Sequence, residues 1–161
     1  MLKNKLASTK ETIEIFLLED DPILSQLFSK NLKKAFQKNG QNLSIRCFTN
    51  CIEAITALPD GCKPPALFIL DVEEGKALLK KIQDSGADVL LTGPDGFTFL
   101  NEIASYPDLS KIPVIIVSSL KFPDQTYESY NVVEILNKTT MTPQALFFAV
   151  VKALKKKDSE V

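Results

Sequence analysis

The chain predicts an α/β fold with a five-stranded, doubly wound parallel sheet, and three observations carry that prediction. First, five short apolar runs at 13–18, 43–48, 65–71, 112–117 and 132–136 are separated by stretches of helical periodicity. Second, Leu67-Phe68-Ile69-Leu70 and Val114-Ile115-Ile116-Val117 are apolar without alternation, the pattern of a strand buried on both faces. Third, four of the runs close in residues able to do chemistry: Glu19-Asp20-Asp21, Asp71, Ser118-Ser119 and Asn137-Lys138. In open α/β sheets the carboxyl edge of the strands is where ligands bind. An acidic pocket at that edge is the expectation.

Each element has a local reason. Residues 1–12 form a polar lead-in, and the first strand follows. Asp21-Pro22 reads as an N-cap with proline at the first helical position. Ile23, Leu24, Leu27, Phe28, Leu32, Ala35 and Phe36 then recur at three- and four-residue steps as one apolar face, and Asn39-Gly40 ends the helix. Leu43 to Phe48 alternates as a second strand. Asn50 caps a short helix carrying Ile52, Ile55 and Leu58, stopped by Pro59-Asp60-Gly61. The third strand is Pro65-Ala66-Leu67-Phe68-Ile69-Leu70-Asp71.

Beyond Asp71, residues 73–84 predict a short amphipathic helix and 87–91 a small extra strand. The turn Gly93-Pro94-Asp95-Gly96 leads into a helix bearing Phe97, Leu100, Ile103 and Ala104. After the fourth strand, 123–131 leaves room for only a short helix. Thr142-Pro143 opens the last one, whose apolar face is Leu146, Phe147, Val150, Val151 and Leu154, and which dissolves into lysines. The domain reading is a lead-in at 1–12, a domain at 13–155 with an insertion at about 73–92, and a polar tail at 156–161.

Composition excludes several functions. The 161 residues are 45% hydrophobic and 24% charged, as in an ordinary globular domain. The net charge of −1 gives no sign of a nucleic-acid or membrane-surface partner. No apolar run approaches the ~18 residues of a membrane helix, and 1–12 is no secretory signal, so cytoplasm is the expected location. There is no histidine, which rules out Ser-His-Asp or Cys-His catalysis and a phosphohistidine carrier within the chain. Cys47, Cys51 and Cys62 fall short of the four Cys/His ligands of a structural zinc site.

Glu19-Asp20-Asp21-Pro22, Phe68-Ile69-Leu70-Asp71, Asp95-Gly96, the 112–119 run and Ile135-Leu136-Asn137-Lys138 together resemble the receiver domain of two-component response regulators, the CheY-like family. The resemblance runs from about 13 to 154. It implies the flavodoxin-like strand order 2-1-3-4-5 and phosphorylation of Asp71 by a histidine kinase or histidine phosphotransfer protein. It also implies Mg²⁺ held by Glu19, Asp20, Asp71 and the backbone carbonyl of Glu73. Lys138 and Ser118 would contact phosphoryl oxygens. The expected role is a stand-alone receiver rather than an enzyme, acting on an output protein in trans, with a homodimer among the expected states and neither nucleic acid nor membrane as a partner.

The sequence also departs from the family pattern. The step from Asp71 to Asp95 is 24 residues, longer than the family's usual span, and Glu73-Glu74 adds negative charge beside the acceptor. Ile135 stands where many receivers keep a switching aromatic, and Thr139 where a proline follows the lysine. Two other readings stay open. In one, 87–92 is the third strand, and the chain is a degenerate receiver acting as a non-phosphorylated scaffold. In the other, Asp71-Val72-Glu73 opens a phosphatase of the haloacid dehalogenase type.

Overall fold

Leu67–Asp71 (β3) and Val114–Ser118 (β4) bury all five of their residues, because a central strand with helices over both faces has no solvent side. Ile13–Leu18 (β1) is buried over its last four residues, whereas Leu43–Phe48 (β2) and Val132–Asn137 (β5) are mostly half-exposed edge strands. The computed structural model, which describes residues 11–58, 63–72, 96–119 and 127–159, orders them β2-β1-β3-β4-β5. All neighbouring pairs are parallel. This is the order that the resemblance implied.

Pro22–Lys38 (α1) and Pro143–Ser159 (α4) cover one face of the sheet, and Cys51–Thr56 (α2) and Gly96–Ala104 (α3) the other. Asp21 caps α1, its carboxylate accepting from the N–H groups of Ile23 and Leu24 at 2.9 and 3.2 Å. Asn50 caps α2 by accepting from the N–H of Glu53 at 2.9 Å. Past α1, Gly40 takes φ 70°, the left-handed conformation that only glycine adopts without strain.

Under the α2–α3 layer three rings cross the sheet in sequence and meet Phe99 of α3. Phe48–Phe16, Phe16–Phe68 and Phe68–Phe99 have centroid separations of 4.9, 5.9 and 5.2 Å. At the β2 edge, where α2 is short, the Arg46 guanidinium covers Phe16 and Phe48 at 5.2 and 5.5 Å and so closes the aromatic row against water. Between β4 and β5 the register slips by one residue: Val114 faces Val132 and Ile115 faces Glu134. The slip sends Val132 and Ile135 to the α2–α3 side and Val133 and Leu136 to the α1–α4 side.

Several expectations are corrected. On α1 the buried residues are Ser25, Phe28, Leu32 and Phe36, while Ile23 is 76% and Leu27 48% exposed. The helix turns its 25-28-32-36 line to the sheet, and Ile23 and Leu27 lie on the opposite side. The fourth strand begins at Val114 rather than 112, since Pro113 has no N–H for the ladder. The last helix continues to Ser159, so 156–159 is helix and not tail. Lysine is a good helix former, and its charge suits a helix carboxyl end. Of the short helix expected at 123–131, residues 123–126 lie outside the described ones; Tyr127 is in a 3-10 turn, and the N–H of Tyr130 bonds to its carbonyl at 3.0 Å. The predicted helix and strand of the 73–92 insertion lie outside the described residues.

Candidate active site

The parallel sheet delivers Glu19, Asp71, Ser118 and Lys138 to one edge because each stands at, or just past, the end of a strand. The N–H of Glu19 continues the β1–β2 ladder to the carbonyl of Phe48 at 3.0 Å, which turns the side chain inward. Glu19 is 2% exposed, Asp71 7% and Ser118 1%. Lys138 is tied across β4–β5 by its N–H to the carbonyl of Ser118 at 2.8 Å. The turn after it is held by Asn137, whose side-chain oxygen accepts from both the N–H and the hydroxyl of Thr139 at 2.9 and 2.6 Å. Asn137 thus aims Lys138 inward.

The Lys138 Nζ lies 2.6 Å from Glu19 Oε2 and 3.0 Å from Asp71 Oδ2. Glu19 also accepts from the N–H of Asp21 at 3.1 Å. Two buried carboxylates therefore share one ammonium. Burial, helped by the charge of Asp71, lifts the Glu19 carboxyl from 4.5 to about 7, against the opposing bonds from Lys138 and the Asp21 N–H. Burial presses the Lys138 ammonium the other way, toward neutrality. Its bonds to Glu19 and Asp71 outweigh that, so its pKa ends above the ordinary lysine value.

The sign for stability follows. A carboxyl whose folded pKa is raised contributes stability that is complete below its unfolded pKa and is lost as pH rises through the folded one. In EDTA, unfolding free energy should therefore fall between pH 4.5 and 7, by on the order of 3 kcal/mol from Glu19. Urea denaturation along a pH series checks this, and Glu19→Gln should flatten that slope. An unchanged slope in the variant would assign the titration to another group.

One oxygen from each of Glu19, Asp20 and Asp71 lies within 4.8 Å of the others. Three carboxylates with no nitrogen or sulfur donor fit a hard divalent cation such as Mg²⁺ or Mn²⁺. No protein-family model matches the sequence, and no curated protein aligns with it significantly. Solved structures do match. A signal receiver domain from Vibrio parahaemolyticus superposes with TM-score 0.66 at 20% identity, over 93% of this chain and 95% of that one. A response regulator receiver domain protein from Clostridium thermocellum gives 0.65 at 18%, over 92% and 99%. The Mn²⁺-bound form of response regulator Rcp1 gives 0.56 at 20%, over 85% and 88%. The chain has the receiver-domain fold.

Within that receiver fold, β3 holds the central position between β1 and β4 and ends at Asp71. The reading that made 87–92 the third strand is thereby corrected: the uninterrupted apolar run at 67–70 is the one able to occupy a strand covered on both sides. Glu19, Asp20, Asp71, Ser118 and Lys138 are all at the carboxyl edge, as the sequence predicted. Glu73 lies outside the described residues. Cys51 is buried and Cys47 exposed, and among the described residues neither belongs to the acid cluster.

Sequence reasoning gave no role to Gly96, although Asp95-Gly96 was among its motifs. A Cβ at this first residue of α3 would stand 2.3 Å from the Asp71 carbonyl oxygen and 3.0 Å from its carbonyl carbon. The helix can start against the backbone of Asp71 only because nothing projects from residue 96. Asn137 was likewise noted only as a strand end, and its part in aiming Lys138 depends on a turn that sequence pattern does not reveal.

Proposed function

We propose that this receiver accepts a phosphoryl group on Asp71 in a Mg²⁺-dependent reaction, taken from a histidine kinase or a histidine phosphotransfer protein in the cytoplasm. The product then signals through contacts with an output protein. The observation that carries the reading is the bridge of Lys138 to both Glu19 and Asp71 beside a three-carboxylate cluster. A nucleophilic carboxylate needs a cation beside it to meet an anionic phosphoryl group, and here the lysine is already in reach.

In the proposed step Asp71 Oδ forms the new P–O bond while the P–N bond of the donor phosphohistidine breaks, and the imidazole leaves with that electron pair. Lys138 turns from the carboxylates to an incoming phosphoryl oxygen, and the Ser118 hydroxyl donates to another. Glu19, Asp20 and Asp71 would hold the Mg²⁺ ion, with the carbonyl of Glu73 as the further ligand that the resemblance implies. When bound, the ion supplies positive charge against the phosphoryl oxygens. Positioning and charge stabilisation account for most phosphoryl-transfer catalysis, so this small set of groups suffices.

The test is intact-protein mass after incubation with acetyl phosphate, with Mg²⁺ and with EDTA. The natural chain should gain one hydroxylamine-labile phosphoryl group in Mg²⁺ only, and Asp71→Asn should gain none. A gain that survives in Asp71→Asn would move the acceptor elsewhere. No gain, together with no response to Mg²⁺ and beryllofluoride, would favour the non-phosphorylated scaffold. Sustained turnover of a small phosphate ester would favour a phosphatase.

A further inference from the structure

The near-zero net charge of the chain conceals an uneven distribution. α1 carries four lysines and no acidic residue, and α4 carries four lysines and only Asp158. Eight of the 19 basic residues but one of the 20 acidic ones are therefore on these two helices, which leaves 11 basic and 19 acidic residues elsewhere. The two helices pack side by side on one face of the sheet, with Phe36 of α1 against Phe147 of α4 at 5.3 Å.

Their outward stripes match. Opposite the buried line of α1 run Ile23, Leu27, Lys30, Lys34 and Lys38, at steps of four, three, four and four residues, and all are exposed. On α4, Phe148, Lys152 and Lys155 form the equivalent exposed stripe. Ile23 is 76% and Phe148 66% exposed. Each stripe thus begins with large apolar side chains and continues with lysines.

Lysines near a helix carboxyl end favour the macrodipole, but Lys30, Lys34 and Lys152 precede the final turns and need another reason. Of the acidic groups packed near this layer, Glu134 of β5 pairs with Lys152 at 3.6 Å. Beside that pair, Lys30, Lys34, Lys38 and Lys155 remain exposed on the two helices and keep the layer cationic.

We propose that the α1–α4 face docks on an anionic lipid surface. An anionic bilayer is the partner that uses both halves of each stripe. Ile23, Leu27 and Phe148 enter the headgroup–acyl boundary while the ammonium groups meet lipid phosphates. A phosphodiester chain would meet the lysines but leave the exposed aliphatic side chains without a partner. No helix among the described residues is long and apolar enough to cross a membrane, so the contact is peripheral. It lies beside the acid cluster rather than over it, since that cluster opens at the strand ends. The inference does not rest on phosphorylation of Asp71.

The test is flotation of the full chain with phosphatidylcholine vesicles, with and without phosphatidylglycerol, at low and high salt. Binding should require phosphatidylglycerol and weaken with salt. The triple variant Lys30→Gln, Lys34→Gln, Lys155→Gln should bind about a hundredfold more weakly, at roughly fivefold per lysine. Phe148→Ser, which leaves charge unchanged, should also weaken binding. All four positions are exposed, and thermal melts matching the natural chain would show that the variants fold. Failure to float at low salt, equal binding to neutral vesicles, or an unaffected Phe148→Ser would each overturn the proposal. Binding to an oligonucleotide in place of vesicles would assign the face to nucleic acid and overturn it equally.

Discussion

Lys138→Met should destabilise the metal-free protein at pH 8 by about 3 kcal/mol, because it removes the cation shared by two buried carboxylates. For a domain of this size that is a fall in Tm of about 6–12 °C. The low exposure of the three groups, 14% for the lysine side chain against 1% and 9% for its partners, keeps water from screening the loss. Glu19 can escape by taking up a proton, so the loss should shrink toward pH 5, where the natural chain already favours the neutral acid. Mg²⁺ should restore more stability to the variant than to the natural chain, since the cation then has no ammonium to displace. Phosphoryl gain from acetyl phosphate should drop by about a hundredfold or more, the usual cost of losing one group that stabilises developing charge. Equal stability of the two proteins in EDTA at pH 8 would mean that Lys138 does not neutralise these carboxylates in solution.

Gly96→Ala should cost about 2–3 kcal/mol, the scale of overpacking against atoms that cannot yield. The sign decides this case. At an ordinary helical site the same change stabilises by about 0.4–1 kcal/mol, through the unfolded chain and helix propensity. Here the new methyl group would meet the Asp71 carbonyl oxygen at 2.3 Å and Val72 Cγ2 at 3.0 Å, so α3 or the end of β3 must move. Because Asp71 is the residue displaced, phosphoryl gain should fall along with stability. Urea denaturation together with the mass measurement checks both effects. A neutral or stabilising Gly96→Ala would show that α3 stands farther from Asp71 than this.

Most of the sheet was legible in the sequence. Uninterrupted apolar runs marked β3 and β4 because a doubly covered strand admits little else, and Asp21-Pro22 marked the start of α1 because capping is local chemistry. The α1 face was legible only in part. Apolar residues surround enough of that helix that periodicity alone drew Ile23 and Leu27 into the core, and only the packed sheet showed which line faces inward. The length of α4 was misread for the opposite reason: a lysine run reads as a solvated tail although lysine continues a helix well.

By itself, the sequence determined the parallel sheet and the residues that reach its carboxyl edge, since strand burial and strand ends are properties of contiguous residues. The tertiary structure alone decided how those residues meet. That Lys138 bridges Glu19 and Asp71 depends on the order and register of three strands separated by more than a hundred residues of chain, including the slip at Val114–Ile115. The need for glycine at 96 depends on how closely a helix start approaches a strand end. The cationic α1–α4 layer depends on two helices at opposite ends of the sequence lying side by side, an arrangement that the summed charge of the chain averages away.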